Sequence, residues 1–181
     1  MKVERLGIEG LLVIHPNVFE DDRGYFFEVF NAEKYKETGL GEDFVQDNLS
    51  KSGKDVLRGL HFQNPPFAQG KLVSVIRGSV LDVAVDIRKN SLTYGKHHKI
   101  VLSEQNKTQF YIPPGFAHGF KTLEDNTIFS YKCTKGYNKA SEGSIRWNDK
   151  DLNIDWNAED PIISEKDQIA PSFKELNSQF I

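Results

Sequence analysis

Residues 80–87 read Val80-Leu81-Asp82-Val83-Ala84-Val85-Asp86-Ile87, and the fold is read outward from them. Side chains of an extended chain alternate between two faces. Leu81, Val83, Val85 and Ile87 therefore point one way, and Val80, Asp82, Ala84 and Asp86 the other. Just upstream, 71–76 alternates in the same manner. Arg77-Gly78-Ser79 between them is expected to make a short hairpin turn, because Gly78 tolerates positive φ. Further strands are expected over 24–30, 44–47, 56–63, 99–102, 109–112 and 127–134. Pro113-Pro114-Gly115 must end one of them, since proline has no N–H for a ladder and glycine permits a tight turn. Short helices are expected over 32–38 and 164–168, the second with Ser164 as N-cap and Asp167 three residues on. The stretch 142–181 reads as loop and short helix. Many short strands with few helices predict an all-β barrel or jelly roll. The N-terminal third adds strands either to the same sheet or to a partner's sheet.

The chain has 181 residues, which predicts one domain over 1–181. Its 38% apolar and 12% aromatic residues are too many for a disordered chain. A net charge of −3 gives no reason to expect a nucleic acid or an anionic membrane as partner. No apolar run approaches the roughly 20 residues of a membrane span, and Met1-Lys2-Val3-Glu4-Arg5-Leu6 lacks the apolar stretch of a secretory signal. Cys133 is the single cysteine. An intramolecular disulfide and a multi-cysteine zinc site are excluded, and the cytoplasm is the simplest compartment. No phosphate-binding Gly-x₄-Gly-Lys-Ser/Thr loop and no Gly-x-Gly-x-x-Gly fingerprint occurs, which argues against nucleotide triphosphatase and dinucleotide-binding folds.

Four residues could carry chemistry. In Arg58-Gly59-Leu60-His61-Phe62-Gln63, a strand places Gly59, His61 and Gln63 on one face, where the bare glycine leaves room for a ligand. The plainer reading of His61 is a hydrogen-bonded rim histidine. Lys71 shares a face with Val73 and Val75; it is either a strand-end lysine reaching water or an electrophile inside a pocket, since burying an unpaired ammonium is costly. Tyr131 alternates with Phe129 and Cys133, so it is a core tyrosine or a proton donor lining a cavity. His118 stands in Pro113-Pro114-Gly115-Phe116-Ala117-His118, whose Pro-x-Gly-x-x-His spacing resembles the second motif of the cupin barrels. In metal-binding cupins that histidine joins two more from a first motif. Here Gln63 occupies the second histidine position, and His97-His98 lies in a loop-like stretch, so a metal-free site is expected. Two N-terminal stretches, Asp22-Arg23-Gly24-Tyr25-Phe26-Phe27-Glu28 and Gln46-Asp47-Asn48-Leu49-Ser50-Lys51-Ser52, mix charge, amide and aromatic groups. They suit either an anionic ligand with a planar base or a solvated hairpin.

Taken in order along the chain, these segments resemble the dTDP-4-dehydrorhamnose 3,5-epimerase family. The matching stretches are Asp22–Phe26, Phe44–Ser50, Leu57–Gln63, Gln69–Val73, Val83–Arg88, Ile112–Phe120, Tyr131-Lys132, Gly143–Trp147 and Ile163–Asp167. The resemblance implies a cupin-type jelly roll and a homodimer that shares N-terminal strands across its interface, with no metal or other cofactor. It also implies an isomerase that inverts C3 and C5 of dTDP-4-dehydro-6-deoxy-D-glucose in dTDP-L-rhamnose biosynthesis, a route to polysaccharide sugars. It casts His61 as base, Asp167 as its orienting carboxylate, Lys71 as stabiliser of the enolate oxygen and Tyr131 as acid. It places Arg23, Phe26, Glu28, Gln46, Asn48, Arg58, His118 and Tyr137 around the substrate, with Tyr137 against the thymine and Arg23 and Arg58 on the diphosphate. The alternatives are an epimerase of a single centre or a ketoisomerase on the same barrel, a silent cupin that only binds nucleotide-sugar, and a metal-dependent cupin enzyme.

Overall fold

The alternation at 80–87 sorts two sets of side chains onto two faces, and the chain covers both faces. The computed structural model describes residues 1–40 and 43–181. In chain order the strands are β1 (Lys2–Arg5), β2 (Leu12–His15), β3 (Val18–Asp21), β4 (Gly24–Phe27), β5 (Gln46–Ser52), β6 (Leu57–Gln63), β7 (Lys71–Arg77), β8 (Ser79–Asp86), β9 (His97–Ser103), β10 (Gln109–Ile112), β11 (Phe116–Thr122), β12 (Thr127–Cys133) and β13 (Glu142–Ser144). The helices are short: α1 (Ala32–Glu37) and α2 (Glu165–Gln168). One sheet runs β1-β2-β10-β7-β12-β5 and the other β13-β6-β11-β8-β9, with neighbours antiparallel throughout. β3 and β4 form a separate two-stranded ribbon. This is an all-β jelly-roll sandwich. Among the described residues no helix is long and apolar enough to cross a membrane.

The core between the sheets takes Val13, Val73, Val75, Phe110, Ile112 and Phe129 from the six-stranded sheet, and Val80, Ala84, Leu102, Phe116 and Phe120 from the other. The outer face of the five-stranded sheet carries Leu57, Leu60, Phe62, Val83, Val85 and Ile87, and the C-terminal segment covers it with Ile145, Leu152, Ile154 and Trp156. On the outside of the other sheet, Leu12, Ile14, Leu72 and Tyr111 lie under Tyr35 and Leu40. β8 is consequently buried at all eight positions. Each large side chain so buried favours folding by about 1.5–3 kcal/mol.

Several expectations are corrected. Arg77-Gly78-Ser79 is not a hairpin turn: β7 belongs to the six-stranded sheet and β8 to the five-stranded one, so the chain crosses between layers there. Two apolar runs joined by a tight turn have the same pattern whether the second folds back beside the first or crosses to the facing sheet. Gly78 does hold positive φ (77°), and a Cβ there would meet Thr127 Oγ1 at 2.5 Å. The strand expected over 24–30 stops at Phe27 and pairs only within the ribbon. The strand expected over 44–47 instead spans Gln46–Ser52. Its inward positions, Gln46, Asn48, Ser50 and Ser52, are all polar, so it carries no apolar alternation to read. His97 and His98 open β9 rather than lying in a loop. β11 was not expected at all, and β13 adds a strand to the mixed C-terminal stretch. The two helices form as expected to within a residue. Asn31 caps α1 by accepting from the Lys34 N–H (3.2 Å), and Ser164 caps α2 by accepting from the Asp167 N–H (3.2 Å).

Candidate active site

Strand alternation aims His61 of β6 into the space between the sheets, while its neighbours Leu60 and Phe62 enter the outer core. His118 of β11 stands directly opposite His61. Lys71 of β7 and Tyr131 of β12 come from the facing sheet. All four border a cavity of about 520 Å³, together with Ser50, Arg58, Phe120, Phe129 and Asp167. A second cavity of about 350 Å³ shares His61, Lys71 and Tyr131 and is lined further by Gln46, Asn48, Gln63, Cys133, Tyr137 and Glu142. The three shared side chains thus stand where the two spaces meet.

The glycine beside His61 serves packing rather than ligand space. Gly59 has φ 123°, and a Cβ there would lie 2.5 Å from Gly119 Cα and 2.8 Å from the His118 carbonyl oxygen. Its bareness lets β6 and β11 approach where their register shifts between His118 and Phe120.

His61 Nε2 lies 2.5 Å from Oδ1 of Asp167, whose side chain is buried. Burial pushes the Asp167 carboxyl up, but hydrogen bonds from His61, Ser164 and the Gly59 backbone outweigh it and hold the group below the ordinary carboxylate value. An ionised Asp167 accepts the Nε2 proton, which leaves Nδ1 as the basic nitrogen of His61. A second histidine–carboxylate pair lies deeper. His118 Nε2 is 2.9 Å and 3.0 Å from the two oxygens of Asp82, and its ring stacks on Phe129 at 6.2 Å. Burial lowers the His118 pKa despite the attraction of Asp82, which favours a neutral ring.

Lys71 makes no ion pair among the described residues, and its Nζ lies 5.9 Å from the centre of the Tyr131 ring. Burial lowers its pKa; the nearby Cys133, Asp82 and Glu142 partly counter that. Burial raises the Tyr131 phenol, with Cys133 adding to the rise and Arg58 opposing it, so it stays protonated and able to donate. A base on one wall and an acid with a cation on the other can move protons on opposite faces of a molecule held between them.

The remaining expected residues divide into two groups. Gln46 donates to Asn48 Oδ1 (3.0 Å) and accepts the Tyr137 N–H (2.9 Å); Asn48 donates to Cys133 Sγ (3.6 Å). Arg58 is exposed at the rim and donates to Ser52 Oγ (3.1 Å). Tyr137 is 59% exposed beside the second cavity. Arg23, Phe26 and Glu28 are not brought to these cavities. Arg23 pairs with Asp21 (2.5 Å), Glu28 with Lys34 (2.7 Å), and Phe26 lies 71% exposed on the ribbon. Gln63, where a metal-binding cupin has histidine, donates to the Phe67 carbonyl (2.7 Å) and accepts the Asn138 N–H (2.8 Å). Among the described residues no three His, Cys, Asp or Glu side chains converge as a metal site.

Sequence reading missed Asp82, Ser50 and Glu142 as lining or supporting groups. Asp82 carried a usable signal: a carboxylate on the inward face of an apolar strand requires a partner. Ser50 Oγ is buried without a hydrogen-bond partner and borders the first cavity.

Residues 5–175 match the family model described as dTDP-4-dehydrorhamnose 3,5-epimerase. An enzyme of that name from Methanothermobacter thermautotrophicus is 52% identical over 167 residues, 91% of this chain and 90% of that relative. A crystal structure of a dTDP-4-dehydrorhamnose 3,5-epimerase from Elizabethkingia anophelis is 53% identical and covers 98% of each chain with a TM-score of 0.92. A dTDP-6-deoxy-D-glucose-3,5-epimerase from Legionella pneumophila, solved in complex with dTDP-4-keto-L-rhamnose, is 47% identical, covers 97% of this chain and 94% of its own, and has a TM-score of 0.93.

Proposed function

Because the chain belongs to the dTDP-4-dehydrorhamnose 3,5-epimerase family, we infer the reaction from the site those residues build. The chain is an isomerase of rhamnose biosynthesis, and it inverts C3 and C5 of dTDP-4-dehydro-6-deoxy-D-glucose. One observation carries the mechanism: an imidazole on one sheet, paired with a carboxylate from α2, faces a phenol and an ammonium on the other sheet across a single cavity.

The C4 ketone acidifies the hydrogens on C3 and C5. His61 Nδ1 takes one of them, the C–H electrons move into an enolate, and the negative charge appears on the C4 oxygen. Asp167 stabilises the imidazolium that forms. Lys71 faces the enolate oxygen; a preorganised donor of this kind is worth about 3–4 kcal/mol. The Tyr131 hydroxyl returns a proton to the opposite face, and solvent resets both groups. Nothing is oxidised overall, so the balance closes without a redox cofactor.

The second cavity, with Gln46, Asn48 and Tyr137 on its walls, fits the nucleotide, and Tyr137 offers a ring for the thymine. Arg58 at the rim of the first fits a phosphate, and His118 closes the sugar end. Arg23, Phe26 and Glu28 act in the other subunit's site. Their separation from the two cavities that share His61, Lys71 and Tyr131 supports that reading, as does a ribbon on which Phe19 (65%), Tyr25 (58%) and Phe26 (71%) are left exposed. The working form is accordingly a homodimer of a 1–181 domain. We place it in the cytoplasm, where the lone unpaired Cys133 is at home.

The test is NMR of the sugar nucleotide incubated with the protein in D₂O, with the product trapped by reduction of its ketone. Deuterium at both C3 and C5 with inversion at both is expected. Inversion at one centre moves the chain to a single-centre epimerase, and no exchange at either withdraws the catalytic roles.

A further inference from the structure

The ribbon of β3 and β4 pairs with neither sheet, so no ladder sets the direction in which it points. Close packing does not set it either, because a cleft of about 800 Å³ lies between Phe19, Phe26 and Phe27 on one side and Tyr35 and Thr38 on the other. The chain enters the ribbon after His15, the last residue of β2, and Val29 follows its end by two residues. Both points are held by consecutive side chains at the start of β10. Thr108 Oγ1 lies 3.3 Å from His15 Nδ1. Gln109 Nε2 donates to the Val29 carbonyl (2.8 Å), and its Oε1 accepts the Tyr35 hydroxyl (2.5 Å). The residue before them, Lys107, reaches the ribbon itself, with Nζ 4.1 Å from the centre of the Tyr25 ring.

This three-residue clamp stands on a rigid base. β10 is bonded to β2 on one side and to β7 on the other. Asn106 Oδ1 closes the turn before it by accepting the N–H groups of Ser103 and Thr108 (3.0 Å each), and Lys107 Nζ donates to the Glu104 carbonyl (3.2 Å). Thr108 and Gln109 are buried. A buried amide with both polar ends bonded resists displacement, since leaving either end unpaired is costly. The other contacts at the foot of the ribbon are exposed: the Met1 ammonium donates to Asn17 (2.5 Å), and Glu28 pairs with Lys34 (2.7 Å). Such surface contacts hold weakly. None of the roles derived above uses Lys107, Thr108 or Gln109.

We propose that Lys107, Thr108 and Gln109 are positioning residues, which fix the angle at which the ribbon leaves the sandwich and so place Arg23, Phe26 and Glu28 in the second subunit's site. The proposal rests on the reading of that site as shared between subunits. Extended chain rises about 3.3 Å per residue, so Arg23 stands about 20 Å from the clamp, and a tilt of about 10° at the foot of the ribbon moves it by about 3 Å. A movement of that size breaks a hydrogen bond between a guanidinium and a phosphate. The ribbon works as a lever, and the buried amide of Gln109 sits at its fulcrum.

The test mixes two inactive full-length chains, Arg23→Ala and His61→Ala, whose one working site takes its cavity from the first and its ribbon from the second. Tyr35→Phe with Gln109→Met removes both side-chain donors near the Val29 carbonyl and is placed in one chain at a time. In the chain that supplies the ribbon it is expected to raise KM for the dTDP-4-keto sugar about tenfold, with kcat within about threefold. In the chain that supplies the cavity it is expected to change neither. A merely structural loss acts equally in both placements. Lys107→Met lies at the surface and leaves folding intact; it is expected to show the same asymmetry at about two- to threefold, and it decides the matter alone if the double variant fails to fold. Independently, spin labels on Asp22→Cys and Asn90→Cys, in labelled chains diluted with unlabelled ones, report the direction of the ribbon. Their distance distribution is expected to be narrow in the parent and broad in the clamp variants. Equal effects in the two placements overturn the proposal, as does a distribution no broader than the parent's. A mixture of the two single variants that regains no activity withdraws the shared site instead, and the distance distribution still decides whether the clamp holds the ribbon.

Discussion

Replacing Asp167 by asparagine keeps the shape of the site and removes one charge, so its cost follows from the dyad geometry. His61 Nε2 and Asp167 Oδ1 are 2.5 Å apart, and the Asp167 side chain is 3% exposed. Before proton transfer the carboxylate accepts a hydrogen bond from a neutral ring; afterwards it faces an imidazolium. Two unit charges about 4 Å apart at an effective dielectric near 20 attract by about 4 kcal/mol. The asparagine amide retains a fraction of that as a dipole, so about 3–4 kcal/mol of transition-state stabilisation is lost, a fall in kcat of about 10²–10³. The tautomer adds to the loss. If the amide nitrogen donates to Nε2, the ring proton must move to Nδ1, the nitrogen assigned to take the sugar proton. Because the Asp167 carboxyl sits below the ordinary value, it is ionised across the working pH range, and the substitution removes a full charge. The assay is kcat by coupled reduction of the product, with deuterium exchange at C3 and C5 measured in parallel and thermal melts to establish folding. A folded Asp167→Asn enzyme within about fivefold of the parent would refute the assignment of His61 as the base.

Three further outcomes are expected. Tyr131→Phe should lose inversion by about 10²–10⁴-fold while still exchanging substrate hydrogen with D₂O, since His61 can remove a proton and return it to the same face; equal loss of exchange and inversion would remove Tyr131 from the role of acid. Mixing inactive Arg23→Ala and His61→Ala proteins should restore activity toward one working site per heterodimer, because the ribbon of the second chain completes the cavity of the first; no recovery after subunit exchange would return Arg23 to its own chain. Asp86 is fully buried and bonded to Arg88, Ser91 and Thr93, and although burial raises its pKa these bonds lower it to about 2. Its folded pKa lies below the unfolded value, so it stabilises the fold above about pH 4 and that contribution, about 2 kcal/mol, disappears as pH falls toward 2. Asp86→Asn should flatten the acid limb of a denaturation curve followed between pH 2 and 5, and an unchanged limb would contradict the shift.

What could be read from the sequence, and what could not, follows from how a two-sheet sandwich uses its side chains. Alternation at 80–87 was legible because one face meets the inter-sheet core and the other the C-terminal cover. The partner of β8 was not legible, since a tight turn at Gly78 is compatible with a hairpin or with a crossing. β5 was misplaced because its inward face is Gln46, Asn48, Ser50 and Ser52, a polar stripe where a core strand should be apolar. β11 was overlooked because Phe116-Ala117-His118-Gly119-Phe120-Lys121-Thr122 is buried on both faces and lacks a period of two.

These misreadings and the site have the same cause. The two cavities lie between the sheets, so their walls are made of inward positions that give up apolar character. His61, Lys71, Asp82, His118 and the stripe on β5 all occupy such positions, in strands whose neighbouring residues obey the pattern. Asking where an inward position is polar would have brought out Asp82 and Ser50 alongside the residues that were found. The same question could not have reached Asp167 or Glu142. They lie at a one-turn helix and at the start of a three-residue strand, where no periodicity defines inside and outside, and only the folded chain brings Lys166, Glu142 and Tyr137 together. The inward polar groups that the proposed mechanism uses on the strands, His61, Lys71 and Tyr131, are therefore written into the period of those strands. Their alignment is set by irregular segments, whose contribution has to be measured residue by residue.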